Sequence, residues 1–401
     1  MRVLLSTVGS RGEVQPVVAL AVQLMELGQE AVVCAPPDFR EWAESLGVVY
    51  VPVGPELRAT AKRPRDTALT SDQQRQMIEG TVADQFTTVR AAAEGCDVIV
   101  GGGALAIAAH SVAEEQGIPY VYAAFAPITL PSRHHAPPVF GSLGEEPKDS
   151  PVDNRTLWAQ DAQRWNALWS APLNAQRGAA GLTPVSDVSR HLFTETPWLA
   201  ADRTLAPWPE PSELDVFQTG AWTLRDHRPL STEVREFLDA GDPPIYFGFG
   251  SMHAPADIAR TAIAGARSLG RRTILARGWS ELSLDEVAPD CLLIDEVNQQ
   301  ALFRQVAAVV HHGGAGTTTA AAAAGVPQVI VPRTFDQFYF ARRVDELGVG
   351  LAHGAGDPTA ASLTAALDRV LDPQVAQAAH ALAGRVRTDG ALIAARRLTE
   401  G

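Results

Sequence analysis

Cysteine is scarce in this 401-residue chain: Cys34, Cys96 and Cys291 are odd in number, far apart and without metal-ligand spacing. That argues against a disulfide framework or a cysteine-built zinc site and fits a reducing compartment, so a cytoplasmic protein is expected. Long apolar runs are missing too. The opening MRVLLSTVGSRGE has only Val3 to Leu5 before Ser6, too short for a signal-peptide core and far too short to cross a bilayer, so neither export nor membrane insertion is expected. Positive charge is in deficit, with 33 Lys and Arg against 46 Asp and Glu and a net charge of −13. Such a field repels nucleic-acid backbones and anionic lipid, and neither is expected as a partner. The dinucleotide fingerprint GxGxxG is also absent. GSRG at 9–12 lacks its spacing and GFGSMH at 248–253 fails at the third glycine, which argues against a nicotinamide oxidoreductase.

What is present is the composition of a globular enzyme rich in turns, 46% hydrophobic and 20% charged with 33 Gly and 28 Pro, at a length that suits two cores better than one. The first half alternates the apolar runs RVLLST, EAVVCA, VVYVPV, CDVIVGG and PYVYAAFAP with helical stretches near 14–27 and 104–116. Continuous β-branched runs between helices predict a parallel sheet covered on both faces. The grammar restarts with PIYFGFGS, a helix near 256–269, RTILARG, CLLIDEV, AAVVHHGG, PQVIVP and VGLAH. The predicted fold class is therefore α/β, with two Rossmann-like doubly wound parallel-sheet domains in tandem. The expected division is a first domain at 1–205, a linker at 206–222 containing Pro207, Pro209 and Pro211, a second domain at 223–387, and a helical tail at 388–401.

The most informative stretch is AAVVHHGGAGTTTAAAAAGVPQ at 307–328, where a buried strand ends at His311 and His312, a glycine turn follows, and an Ala-rich helix begins near Gly316 or Thr317. A helix start offers free backbone N–H groups and about half a positive charge, which makes an anion site. Gly313, Gly314 and Gly316 allow close approach of a phosphate, Thr317 and Thr318 offer hydroxyls, and His312 adds a donor whose protonation a diphosphate would favour. A second glycine turn, Gly9-Ser10-Arg11-Gly12-Glu13, follows the first strand; Ser10 and Arg11 suit an anion, and Glu13 sits at the mouth of the sheet. Asp336 and Gln337, after PQVIVP, can clamp vicinal sugar hydroxyls by accepting and donating hydrogen bonds. Trp279, after RTILARG, can stack on a nucleotide base or fill the core. Trp158, Trp165 and Trp169, spaced by seven and four, share one helical face as core or acceptor wall, and His134 and His135 read as solvated loop residues.

Together with TGAW at 219–222, YFGFGS at 246–251, ARGW at 276–279 and FDQ at 335–337, these motifs resemble the family 1 glycosyltransferases of bacterial natural-product pathways, in order and over nearly the whole chain. The nearest likeness is to the branch that glycosylates vancomycin-type aglycones; sterol glucosyltransferases share the GSRG turn. The resemblance implies a GT-B fold, in which two Rossmann-like domains face each other across a cleft. The first would bind the acceptor, the second the nucleotide sugar, and the C-terminal helix would return to the first. By position, His312 and the backbone from Gly314 through Ala315 and Gly316 to Thr317 would hold the diphosphate. Ser10, Arg11, Gly12 and Ser251 would approach it from the cleft walls. Trp279 and the backbone at Val297 would hold base and ribose, and Asp336 with Gln337 the sugar. Where that branch typically has Asp after GSRG as general base, this chain has Glu13, one methylene longer.

The implied activity is inverting transfer of a sugar from a TDP- or UDP-sugar to a hydroxyl of a small acceptor, with Glu13 as base and Asp336 as the second candidate. No cofactor and no metal ion are expected, because the helix start, His312 and Arg11 can meet the charge growing on the diphosphate. The expected partners are the nucleotide-sugar donor and a small-molecule acceptor, and the expected state is a monomer or weak dimer. Two alternatives stand beside this: a nucleotide-sugar epimerase, which would act without an acceptor, and a sugar-nucleotide-binding partner in which Glu13 no longer acts. The acceptor regions, near 55–80 and 125–170, carry no chemical signature beyond a Pro- and Trp-rich wall suited to an aromatic or polycyclic molecule.

Overall fold

The apolar runs of the first half form strands β1 (Arg2–Thr7), β2 (Glu30–Ala35), β3 (Val49–Pro52), β4 (Val98–Gly102) and β5 (Tyr120–Ala124), followed by the short β6 (Trp198–Leu199) and β7 (Phe217–Gln218). The structure, a computed structural model, describes residues 1–58, 70–138, 152–250, 258–278, 288–354 and 356–400. All pairings in the first sheet are parallel, and its order is β3-β2-β1-β4-β5-β6-β7. The winding reverses between β1 and β4, and the crevice outside the carboxyl ends of those two strands is where doubly wound sheets bind ligands.

The second half repeats the plan with β8 (Ile245–Gly248), β9 (Thr273–Ala276), β10 (Cys291–Ile294), β11 (Ala308–His311), β12 (Gln328–Ile330) and β13 (Gly350–Ala352). The order β10-β9-β8-β11-β12-β13, again all parallel, puts its reversal between β8 and β11.

Alternation along each strand serves both faces. Val3 and Leu5 pack with the helix Arg11–Glu26, whereas Leu4 packs with Val82 and Phe86 of the helix Ser71–Ala92. A strand with apolar residues on both sides can be stable only between two layers of helices, which is why β1 reads as a continuous apolar run.

Residues 206–222, read from the sequence as a linker, contribute β7 to the first sheet. The Pro-rich segment before it wraps the buried Gln218, whose Nε2 donates to the carbonyls of Ala201 and Ala206 at 2.9 Å and whose Oε1 accepts from Trp208 N at 3.1 Å. The C-terminal helix Gly390–Thr399 buries Ala391, Ala394 and Ala395 against the helix Arg11–Glu26. The two domains also touch beside the helix Gln337–Glu346, where Arg343 Nε donates to the Leu205 carbonyl at 3.1 Å. No helix among the described residues is long and apolar enough to cross a membrane.

Candidate functional site

In the second domain, β11 runs into Gly313 at φ +91, and the helix Ala315–Ala324 starts with Gly314 at its N-cap and no side-chain cap. The first helical bond runs from Thr318 N to Gly314 O at 3.0 Å. The N–H groups of Ala315, Gly316 and Thr317 therefore lack an intrahelical acceptor and point out of the helix start, with the dipole behind them. A Cβ on Gly313 would lie 2.6 Å from Ile330 Cγ2, so the turn packs flush on β12.

The paired histidines divide the work. His311 is fully buried; its Nδ1 accepts from Gly313 N at 3.1 Å and its Nε2 donates to Gln328 Oε1 at 2.9 Å. Burial pushes it down to about 3. It is a neutral former of the turn, and the Gly313 N–H belongs to it rather than to a ligand. His312 lies between two glycines: a Cβ would stand 3.1 Å from its Cε1 at Gly250 and 2.6 Å from its Nε2 at Gly314. Its Nδ1 is buried, and burial pushes the ring down to about 4, offset in part by a hydrogen bond with the Gly248 backbone. Close packing removes the water that would stabilise an imidazolium, so the ring by itself is neutral at pH 7. Thr318, expected to offer a hydroxyl, is fully buried and donates it to Gly314 O at 2.9 Å.

In the first domain, Ser10 caps the helix Arg11–Glu26, its Oγ accepting from Gly12 N at 3.4 Å and donating to Glu13 Oε2 at 3.0 Å. Burial raises the Glu13 carboxyl above its ordinary range, and the Ser10 hydrogen bond partly offsets that. Facing it from the second domain, Asp336 stands at the N-cap of the helix Gln337–Glu346, just after Phe335 at φ +58. Burial and then the Glu13 charge raise Asp336 to about 7. Two acids in electrostatic contact across the cleft, both desolvated, cannot both ionise freely. Gln337 is buried, and its Oε1 accepts from Arg333 N at 2.8 Å and Thr334 N at 3.2 Å, so its amide carbonyl holds the loop that carries Asp336 instead of being open to a sugar.

Arg11 is engaged by three protein groups. Its guanidinium lies 3.9 Å over the Trp42 ring, Nε donates to Gln15 Oε1 at 2.9 Å, and Nη1 donates to Glu296 Oε1 at 3.1 Å in the loop after β10. Val297, next along that loop, is half-buried, and Asn298 caps the following helical turn while its Nδ2 donates to the carbonyls of Asp226 and Arg228. Ser251 and Trp279 lie outside the described residues. The glycines before them are close: Gly250 and Gly278 adopt φ +59 and +57, and a Cβ on Gly278 would overlap the Gly250 carbonyl oxygen. Sequence reasoning passed over that pair. Its trace was the recurrence of glycine just after β8 and β9.

On the acceptor side, Trp158 and Trp165 are buried on the helix Asn154–Ala179, and Trp165 stacks on Trp169 at 6.3 Å. His135 is not a solvated loop residue: it sits 6.1 Å from both Trp158 and Trp208, with Nε2 2.9 Å from Leu130 O, and its burial lowers its pKa. His134 is exposed. Among the described residues one metal-like group escaped the sequence reading, His110, Glu114 and His191, whose ligand atoms lie within 4.8 Å of one another. The two rings stack at 4.2 Å with planes 10° apart, so their in-plane lone pairs run parallel and cannot meet at one ion. The buried Arg177 pairs with Glu114, completing an ion-pair network rather than a metal centre.

Comparison with known proteins places the chain in a family. A family model of the glycosyltransferase family 28 N-terminal domain matches residues 3–133, and one of the erythromycin biosynthesis protein CIII-like C-terminal domain matches 273–392. The chain is 51% identical over 397 residues to the glycosyltransferase GtfE of Amycolatopsis orientalis, covering 98% of this chain and 96% of that protein. It is 49% identical to the vancomycin aglycone glucosyltransferase of the same organism, covering 100% and 97%, and 43% identical to its dTDP-epi-vancosaminyltransferase, covering 94% and 91%. Among solved structures, the glycotransferase of kitacinnamycin aligns with a TM-score of 0.74 at 20% identity, covering 100% and 98%. The glycosyltransferase VinC in complex with dTDP aligns at 0.69 and 22%, covering 100% of both chains. These last two speak for the GT-B fold. The relatives in both comparisons are transferases by name, which gives no support to the epimerase or the non-catalytic alternative.

Proposed function

The chain belongs to the glycosyltransferases of vancomycin-type glycopeptide pathways, enzymes that use nucleotide-sugar donors, and we propose that it moves one sugar, with inversion, from a TDP- or UDP-sugar to a hydroxyl of a glycopeptide aglycone or a similar polycyclic aromatic acceptor. The observation that carries this reading is the confrontation across the cleft of a desolvated carboxylate, Glu13, with a donor-domain acid, Asp336, near an uncapped helix start.

Glu13 takes the proton of the acceptor hydroxyl as that oxygen attacks the anomeric carbon from the face opposite the leaving diphosphate. Positioned proton transfer of this kind contributes about 10²- to 10⁴-fold. Charge growing on the diphosphate meets the N–H groups of Ala315, Gly316 and Thr317 and the neutral N–H of His312, which are already oriented and need no reorganisation. Asp336 holds the sugar, while Gln337 chiefly holds Asp336. Trp279 and the Val297 backbone receive the base and ribose. Arg11 joins the diphosphate only by releasing Glu296. With this set of donors the reaction needs no metal ion and no cofactor, and turnover is expected to survive a chelator. The enzyme works in the cytoplasm, as a monomer or weak dimer.

The test offers TDP-glucose and UDP-glucose with a pooled panel of glycopeptide aglycones, steroids and phenolics, read by mass spectrometry, to the parent and to Glu13→Gln. One hexose mass gained with the parent and nearly none with the variant is the expected result. Equal transfer by both would remove Glu13 from the base role and leave Asp336 next in line.

A further inference from the structure

The Glu13 side chain does not extend straight into the cleft. It folds back over Gly9: a Cβ on Gly9 would lie 2.7 Å from Glu13 Cγ, Cδ and Oε2 alike. On the other side Gly103, at φ +74, passes close enough that its Cβ would stand 3.7 Å from Glu13 Cγ. The slot between the turns after β1 and β4 is thus lined by two glycines, at the reversal point of the sheet. Its floor is tight, since a Cβ on Gly102 would lie 2.8 Å from Val17 Cγ2. The Ser10 hydroxyl, within the same turn, gives its single proton to Glu13 Oε2 at 3.0 Å. A hydroxyl with its proton so directed has none left for a phosphate.

We propose that Gly9 and Ser10 are positioning residues for a glutamate base: Gly9 leaves empty the volume into which the extra methylene folds, and Ser10 fixes Oε2, so that the carboxylate is held at the cleft mouth. This rests on the reading of Glu13 as base. An aspartate at 13 would not reach back over Gly9 in the same way, which makes the two positions interdependent.

The experiment compares Gly9→Ala, Glu13→Asp and the double variant, with acceptor kcat/KM, TDP affinity and Tm measured for each. Gly9→Ala is expected to lose about 10²-fold in acceptor kcat/KM, the scale of a misplaced reacting group, with TDP affinity kept. The double variant should recover about tenfold or more of that loss, because aspartate lacks the outermost of the three atoms at 2.7 Å and, with no methylene to fold over position 9, can turn its carboxyl away from the new methyl. No recovery, with both proteins folded, overturns the role of Gly9. If Gly9→Ala does not fold, Ser10→Ala carries the test. Loss of its hydrogen bond should move the acidic limb of acceptor kcat/KM to higher pH, and the shift should persist in Asp336→Asn, which removes the facing acid. An unmoved limb overturns the role of Ser10. Failure of the base reading itself looks different, since Glu13→Gln would then keep full activity whatever stands at 9 and 10.

Discussion

Arg11 in the first domain donates through Nη1 to Glu296 Oε1 in the second at 3.1 Å, with Trp42 stacked beneath its guanidinium at 3.9 Å. The residues are far apart in sequence and meet only because the helix after β1 and the loop after β10 face each other across the cleft. Arg228 stands 3.9 Å from the other Glu296 oxygen, ready to keep that carboxylate if Arg11 leaves.

The first prediction follows from that arrangement. A donor diphosphate must compete with Glu296 for Arg11, so Glu296→Gln should tighten TDP binding. Glu296 is 66% exposed, and a solvent-screened pair is weak, so the gain is small, about two- to fivefold. It should shrink further at high salt. Titration calorimetry with TDP at two ionic strengths reads it, and weaker binding by the variant would show that Arg11 and the diphosphate do not meet.

Asp336 gives a pH prediction with a definite sign. Its pKa is raised from 3.8 to about 7, so the folded state disfavours the carboxylate that the unfolded chain readily forms. The favourable term is fully present below the unfolded value and is lost as pH rises through about 7. Asp336→Asn should therefore raise Tm at pH 8 relative to the parent and change it little at pH 4, at roughly 2–4 °C for each kcal/mol. The same variant should transfer sugar poorly. A thermal scan across that pH range decides, and an equal shift at both ends would mean that Asp336 is not desolvated.

Three desolvated histidines act in the opposite direction. His191 and His311 are pushed down to about 3 and His312 to about 4 from 6.5, so the unfolded chain binds more protons than the folded one between those limits. Stability present above 6.5 is lost progressively as pH falls toward those values. His191→Phe keeps a ring to stack on His110 and removes one of these groups. Its urea midpoint should fall less steeply than the parent's between pH 6.5 and 4, and parallel slopes would contradict the desolvation of His191.

The alternation of β-branched runs with helices made both sheets readable from the sequence, because residues buried on two faces must be apolar at every position. The glycine turn and helix start after β11 were readable for a similar reason, since local chemistry decides them. What escaped was set by tertiary contact. His311 and His312 are neighbours in sequence and look alike, yet one turns to Gln328 in the core and the other packs between Gly250 and Gly314. Nothing local to Arg11 points to Glu296, the carboxylate it pairs with. His135 was read as solvated because Trp208, which covers it, comes 73 residues later. Gln337 kept its place, but the loop it serves, at Arg333 and Thr334, precedes it by only a turn and gave no signal of its own.

The glycine of TGAW yields the last prediction. Gly220, at φ +95, meets Gly390 so closely that a Cβ on Gly390 would overlap the Gly220 carbonyl and stand 2.6 Å from Ala221 O. This contact seats the first turn of the C-terminal helix, whose Ala391, Ala394 and Ala395 share a core with Trp222 and the helix Arg11–Glu26. The obstacle is backbone on both sides, so a side chain at 390 can be accommodated only by moving the helix as a body. Gly390→Ala should destabilise the protein by about 1–3 kcal/mol, as overpacking does, and should expose the tail after Asp389 to proteolysis before the rest of the chain. Because the helix it displaces packs against the one that begins at Arg11, donor affinity and acceptor kcat/KM should fall with it. A variant that keeps its Tm and its protected tail would show that the approach of the two glycines is dispensable.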